Sequence, residues 1–339
     1  MSILLSADIG GTKTILQLSK YEADVLTCIK QKTYQSADWQ SFEALLDSFT
    51  EDSPSIDSAC LAIAGPISLS ETDTFVDVTN LPWKLSRNAL KDKYQIAHIS
   101  LINDFQAIAH SVEQLSENDL ITLQEGKPSP TGTRAFIGAG TGLGQAISFF
   151  NGLDYDVIST EGGHCDFAAN NDFEVVLYQF LNQKYTHVSY ERLLSGEGLY
   201  NIYQFFLQIC SSNAAIIEEN KIIESHADKA KAISQQATAA PDGLAARSLA
   251  LFFRIYGAQA GNLALTCLPA GGIYIAGGIA GKNINHMKTS DFLSCFNAKG
   301  RMQKLMEDIP VKVITTEISG LLGATNVALK LIQKQMQKH

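Results

Sequence analysis

Two short glycine-rich stretches carry residue types suited to holding a polyphosphate. In the first, ILLSADIGGTKTIL (3–16), an apolar run ends at Asp8, breaks at Gly10-Gly11 and resumes as a β-prone segment. The pattern predicts strand, tight turn, strand. Glycines there accept positive φ and leave no Cβ between the backbone and a ligand. Successive N–H groups around Gly10, Gly11, Thr12 and Lys13 can cup an anion, and the hydroxyls of Thr12 and Thr14 add donors. Asp8, at the end of the strand, offers a hard oxygen partner to a water-ligated Mg²⁺. Alone, these residues equally describe a glycine hairpin with a solvated aspartate. The second stretch, GAGTGLG (138–144), sits between strands predicted within 135–147 and repeats the logic with Gly140, Thr141 and Gly142. Neither fits the GxGxxG spacing of a dinucleotide fold, and no GxxxxGK[ST] occurs. Two glycine turns with threonines, one in each half, suggest a duplicated architecture clamping one polyphosphate.

Two more polar sites follow buried runs. A compact apolar strand at 58–64 ends at Gly65-Pro66, and one at 99–102 ends at Asn103-Asp104. In an α/β sheet ligands sit beyond the carboxyl ends of the strands, so Asp8, Gly65 and Asn103-Asp104 mark one such edge. Locally, Asp104 reads either as the cap of a helix beginning at Phe105 or as a carboxylate available for chemistry.

The elements that must position these groups alternate. Further strands are predicted at 25–34, 74–78, 273–276 and 311–315, the strand at 273–276 ending at Gly277-Gly278. Helices are predicted at 39–49, at 85–94 with Ser86 as a cap, and at 105–115, 172–183, 244–268, 292–306 and 321–334. Residues 116–134 read as loop-rich, with a domain crossing near them. Leu193, Leu199, Ile202, Tyr203 and Phe206 form an apolar stripe assigned to the core. Residues 211–240 are polar, helical with loose joints, and have no assigned role.

The 339 residues suit two domains, and 45% hydrophobic with 18% charged residues describes a folded chain. A net charge of −9 without a Lys/Arg cluster argues against nucleic acid. The six cysteines are scattered, with no CxxC or CxH pair, so neither a zinc site nor a disulfide framework is expected. The opening residues lack the basic start and small-residue cleavage site of a secretory signal, so none is expected. Residues 255–281 contain no charge, yet Gln259 and Asn262 interrupt them and Pro269 with Gly271-Gly272 breaks them. A helix followed by a buried strand accounts for this run better than a membrane span. The expected setting is cytoplasmic.

Taken in order, DIGGTKT, LAIAGPI, VTNLPW, LINDFQA, GAGTGLG, EGGHCDF, ERLLSGEGLYNIY and IAGGIAGK run nearly end to end. The set resembles the bacterial glucokinase family, of the type without the zinc-binding cysteine cluster. One departure is Lys13-Thr14 after the first GGT, where relatives often carry Asn-Ala-Arg. The resemblance implies an actin-like ATPase (ribonuclease H-like) fold, α/β, with two α/β domains flanking a cleft. The small domain would comprise 1–108 plus 317–339 and the large domain 109–316. ATP, Mg²⁺, glucose and a homodimer are implied with it.

Phosphorylation of a sugar hydroxyl needs positioning, charge neutralisation and a base near the attacking oxygen. The resemblance makes Asp104 that base and places glucose against Asn103, Asp104, Glu161, His164 and Glu191. Carboxylates and an imidazole suit hydroxyls that both donate and accept. The plainer roles are a structural histidine at 164 and a helix-dipole position at Glu191. Gly140, Thr141 and Gly142 would hold the β- or γ-phosphate, with Gly277 and Gly278 against the adenine or ribose. Mg²⁺ would be held through phosphates and water, with Asp8 as a candidate contact. Asn80 and Trp83 are expected to shape the sugar cleft. Other readings are a kinase for fructose or mannose, a sugar-sensing protein without turnover, and an actin-like filament protein.

Overall fold

A computed structural model describes residues 1–336. The chain forms two compact units, one made of Met1–Asn118 with the segment from Thr316 onward, the other of Asp119–Thr315.

The first unit is built on a five-stranded sheet. β1 (Ser2–Ile9), β2 (Lys13–Glu22), β3 (Val25–Gln35), β4 (Ser58–Ile63) and, after three short strands, β8 (His98–Asn103) lie in the order β3-β2-β1-β4-β8. β1 is central and β4 is its parallel neighbour, which is why both are near-continuous apolar runs instead of alternating ones. β3 is the edge, largely exposed, and carries Lys30 and Lys32, charges that discourage pairing with another chain. The short strands β5 (Ile67–Leu69), β6 (Thr74–Asp77) and β7 (Lys84–Ser86) form a separate antiparallel sheet. α1 (Phe42–Thr50) packs on one face with Trp83, and α2 (Arg87–Tyr94) contributes Leu90 there. α3 (Asp104–Ser111) and the C-terminal helix (Ser319–Met336) cover Leu4, Cys60, Ala62 and Ile102 on the other.

The second unit repeats that sheet. β10 (Arg134–Ala139) pairs antiparallel with β11 (Leu143–Phe150), which pairs with β12 (Tyr155–Thr160). On its other side β10 runs parallel to β13 (Gly272–Ala276) and then β14 (Val311–Ile314), with β9 (Leu120–Gln124) antiparallel at the edge. The order β12-β11-β10-β13-β14 thus matches β3-β2-β1-β4-β8 strand for strand. Helices α4 (Asp172–Asn182), α5 (Gly196–Ile209), α6 (Ala214–Ser225), α7 (Lys229–Ala239) and α8 (Leu244–Cys267) follow between β12 and β13. The chain then adds α9 (Gly278–Lys282), α10 (Ile284–Thr289), α11 (Phe292–Asn297) and α12 (Gln303–Glu307). α8 is buried along most of its length, and this accounts for the uncharged run at 255–281. Among the described residues no helix is long and apolar enough to cross a membrane.

Several expectations need correction. Residues 116–134 contain the strand β9, whose strand partner, β14, lies far along the chain. β5 and β12 are strands beyond those the pattern predicts. Leu85 belongs to β7; the helix starts at Arg87, with Ser86 accepting from Ala89 N as its cap. The helix expected over 292–306 is interrupted between α11 and α12 at Gly300, where φ is +57°. Finally, α3 crosses the boundary drawn after residue 108, and the division falls at Asn118/Asp119.

Candidate functional site

In the first unit, register brings the polar strand ends to one edge. Asp8 pairs with Ala62 across β1 and β4, and Ile63 pairs with Asn103 across β4 and β8. Two parallel spacings separate β1 from β8, roughly 10 Å at the backbone, within reach of converging side chains. Asp8 and Asp104 sense each other: burial first, then the charge of Asp104, push the Asp8 carboxyl up to about 6, while Lys13 opposes the shift. Asn103 is the N-cap of α3 and accepts from Phe105 N at 2.9 Å; its amide donates to Gly65 O at 3.5 Å. Asp104 is therefore the first residue of α3, not its cap, and its Oδ1 also accepts from Phe105 N, at 2.8 Å.

The Gly10-Gly11 turn is closed by Gly10 N donating to Lys13 O at 3.0 Å. Thr12 and Lys13 are exposed on it, but Thr14 is fully buried and its hydroxyl meets Ser36 Oγ at 3.0 Å. The expected ligand donor at 14 is thus an internal brace. Ser36, which no motif flagged, donates Oγ to Gly10 O at 2.8 Å and N to Thr12 O at 2.9 Å, fixing the turn from beneath. Trp83 is likewise a core residue, its indole donating to Trp39 O at 3.2 Å. Asn80 adopts a positive φ of 63° beside Gly11.

In the second unit, the turn between β10 and β11 carries Gly140, Thr141 and Gly142. A side chain built at Gly140 would meet nothing within 4 Å, so the fold leaves that position open to a ligand. Gly140 O accepts from Gly196 N at 2.8 Å, which ties the turn to the N-terminus of α5. A helix start of that length favours an anion nearby. Beneath the turn, the Tyr256 hydroxyl accepts from Ala139 N and donates to Ile137 O, both at 3.1 Å.

A cavity of about 1490 Å³ opens from Gly140 and Thr141. Gly278, Lys282 and Asn283 line it on one side, and Lys231, Ser234, Gln235 and Thr238 of α7 on another. Thr238 Oγ1 and His286 Nε2, both in the lining, meet at 2.9 Å. The polar 211–240 segment thus supplies a wall. A signal was there to find, because 231, 234, 235 and 238 recur at helical spacing, opposite buried Ala232, Ile233 and Ala237. Gly277 answers a requirement of the fold: φ is +84° and a Cβ would strike Ala139 O, so β10 requires the glycine.

Beside this turn a polar cluster forms. His164 Nε2 stands 3.8 Å from Glu161 Oε2, and His164 Nδ1 stands 3.9 Å from Glu191 Oε1. Glu161 and His164 are exposed, while Glu191 is mostly covered and accepts from Leu143 N at 2.9 Å. Gln145, 4% exposed, lies under Gly162 with Nε2 unpaired. It is a further residue the motifs did not reveal.

A family model for glucokinase matches residues 5–331. The chain belongs to the glucokinase family. A glucokinase from Nostoc punctiforme is 42% identical over 98% of this chain and 100% of its own. The crystal structure of a glucokinase from an Antarctic psychrotroph superposes with a TM-score of 0.83 at 29% identity, covering 97% of this chain and 99% of that one. A Streptomyces griseus ROK-family glucokinase, solved with glucose and AMPPNP, shares the fold at a TM-score of 0.61 and 17% identity, over 97% and 100% of the two chains. The repeated mixed sheet is that of actin-like ATPases, and this glucokinase-family chain carries it in both units.

Proposed function

We infer that the chain transfers the γ-phosphoryl group of ATP to the C6 hydroxyl of D-glucose, giving glucose 6-phosphate and ADP. The observation that carries this reading is the adjacency of the His164 cluster to the open Gly140 turn, with a nucleotide-sized cavity beyond it. Glu161, His164 and Glu191 offer acceptors and donors for sugar hydroxyls, and Asn103 adds one from the first unit. In this reading the two units flank a cleft, and the Gly10-Gly11 and Gly140–Gly142 turns face one triphosphate, with Thr12, Lys13 and Thr141 as donors. Gly278 lies against the adenine or ribose.

Asp104 acts as the general base. Its anchored carboxylate takes the O6 proton as O6 attacks the γ-phosphorus, while the bond to the β–γ bridging oxygen breaks and ADP leaves. Asp8, at the end of β1, offers a hard oxygen that fits a hydrated Mg²⁺. In this reading the ion is held mainly by the phosphates and water. When bound, Mg²⁺ supplies neutralisation of phosphate charge. The reading includes a cytoplasmic setting, in which the six free thiols stay reduced. It also includes a homodimer, supported by the exposed apolar residues Phe173, Val175, Val176 and Tyr178 on α4.

ADP release across glucose, fructose and mannose, with and without Mg²⁺, tests the assignment. Glucose is expected to support the highest kcat/KM. Turnover confined to another hexose overturns the substrate, and glucose binding without ADP release identifies a sensor.

A further inference from the structure

Two assigned subsites of the second unit share one backbone residue, Leu143. Its N–H donates to Glu191 Oε2 at 2.9 Å. Its carbonyl lies so close to Gly163 that residue 163 has no room for a Cβ, and His164 follows directly. On the phosphate turn itself, a Cβ at Gly142 would stand 2.6 Å from the same Glu191 Oε2. The other carboxylate oxygen, Oε1, faces His164 Nδ1 at 3.9 Å. Two bonds hold the backbone that carries Glu191: Ser195 Oγ donates to Glu191 O, and Gly196 N to Gly140 O, both at 2.8 Å. One end of a single carboxylate therefore touches the phosphate turn, and the other end faces the sugar cluster.

We propose that Glu191 is a positioning residue that couples sugar binding to nucleotide-phosphate binding. This rests on the assignment of glucose to the His164 cluster and of phosphate to the Gly140 turn. The Glu191 side chain keeps 26% of its surface accessible, which leaves Oε1 open to a ligand hydroxyl while Oε2 holds Leu143 N–H. A sugar hydroxyl bonded at Oε1 fixes the carboxylate. The bond from Leu143 N–H to Oε2, already present, is thereby locked, and residues 140–143 keep one geometry with their amides set for phosphate. Part of the ordering that the nucleotide would otherwise impose is already complete. By linkage, nucleotide must tighten sugar by the same factor that sugar tightens nucleotide.

The test is calorimetric titration of a non-hydrolysable ATP analogue with Mg²⁺, in the absence and presence of saturating glucose, and the reverse titration. Wild type is expected to show tightening of at least about fivefold in both directions, the low end of ordinary coupling. Glu191→Gln keeps a carbonyl acceptor for Leu143 N–H and should keep most of that factor. Glu191→Ala should bind both ligands with a factor near one. His164→Asn should weaken glucose yet leave the factor unchanged at saturation. If Glu191→Ala does not fold, Gly142→Ala, which pushes Oε2 off Leu143, should lower the factor instead. Coupling near one in wild type, or wild-type coupling in Glu191→Ala, overturns the proposal while both ligands still bind. Failure of wild type to bind glucose at all overturns the substrate assignment, and the coupling with it.

Discussion

Replacing Asp8 by Asn is expected to stabilise the ligand-free protein at neutral pH. The Asp8 carboxyl is raised from 3.8 to about 6, by burial first and by the charge of Asp104 second. A difference of about 2 units at about 1.4 kcal/mol each corresponds to roughly 3 kcal/mol. The folded state keeps its proton up to about pH 6, whereas the unfolded chain loses it near 3.8. Between those values the folded state binds more protons, so stability falls as pH rises, and the full cost persists above the window. Asn removes the charge and hence the cost. Because water still reaches the partly buried carboxylate, Asp8→Asn should exceed wild type by about 1–3 kcal/mol at pH 8, with the gap closing near pH 4. Urea unfolding in EDTA across this range measures it, and hydrogen exchange of the β1 amides localises it. Carbon NMR of the Asp8 carboxyl gives the midpoint directly, and Asp104→Asn should lower that midpoint by removing the like charge. A variant no more stable than wild type at pH 8, or an Asp8 carboxyl titrating near 4, refutes the reasoning.

Asp104→Asn should preserve the α3 start, because an amide oxygen can still accept from Phe105 N, but it removes the base. A fall in kcat of at least about 10²-fold is expected, with glucose binding retained in calorimetry, and near-normal kcat would count against the assignment. Gly140→Val places a branched side chain in space that no protein atom fills. Nucleotide affinity should fall far more than glucose affinity, with an unchanged Tm; equal losses with a lowered Tm would instead mark a folding defect.

The strand ends were legible in the sequence for a physical reason. A buried parallel strand is an uninterrupted apolar run, so the polar residue that ends it stands out, as Asp8, Asn103 and Asp104 do. Whether two such ends meet depends on register, and register is a pairing between distant segments. The β1–β4–β8 ladder, which brings the Asp104 charge to bear on Asp8, could be expected from the α/β pattern but not aligned from it. The same limit hid β9, a short edge strand whose ladder is to a segment nearly two hundred residues away.

Glycine motifs marked turns correctly but could not say what each glycine makes room for. Gly140 leaves space for a ligand, Gly142 for the Glu191 carboxylate, and Gly277 for the backbone of β10. All three read alike in the chain, since the absent side chain names no neighbour. The hydroxyls show the same ambiguity: Thr12 is exposed on the turn, while Thr14, two residues on, is buried against Ser36. A donor that serves a ligand and a donor that braces the turn differ only in what lies opposite, and Ser36 comes from the short helical turn that follows β3. Such braces shape the site as much as the motif does. Ser36 Oγ on Gly10 O joins the Gly10–Lys13 and Ser36–Thr12 backbone bonds in fixing the first turn. Tyr256, reaching from α8 to Ala139 N and Ile137 O, plays the matching part under the second.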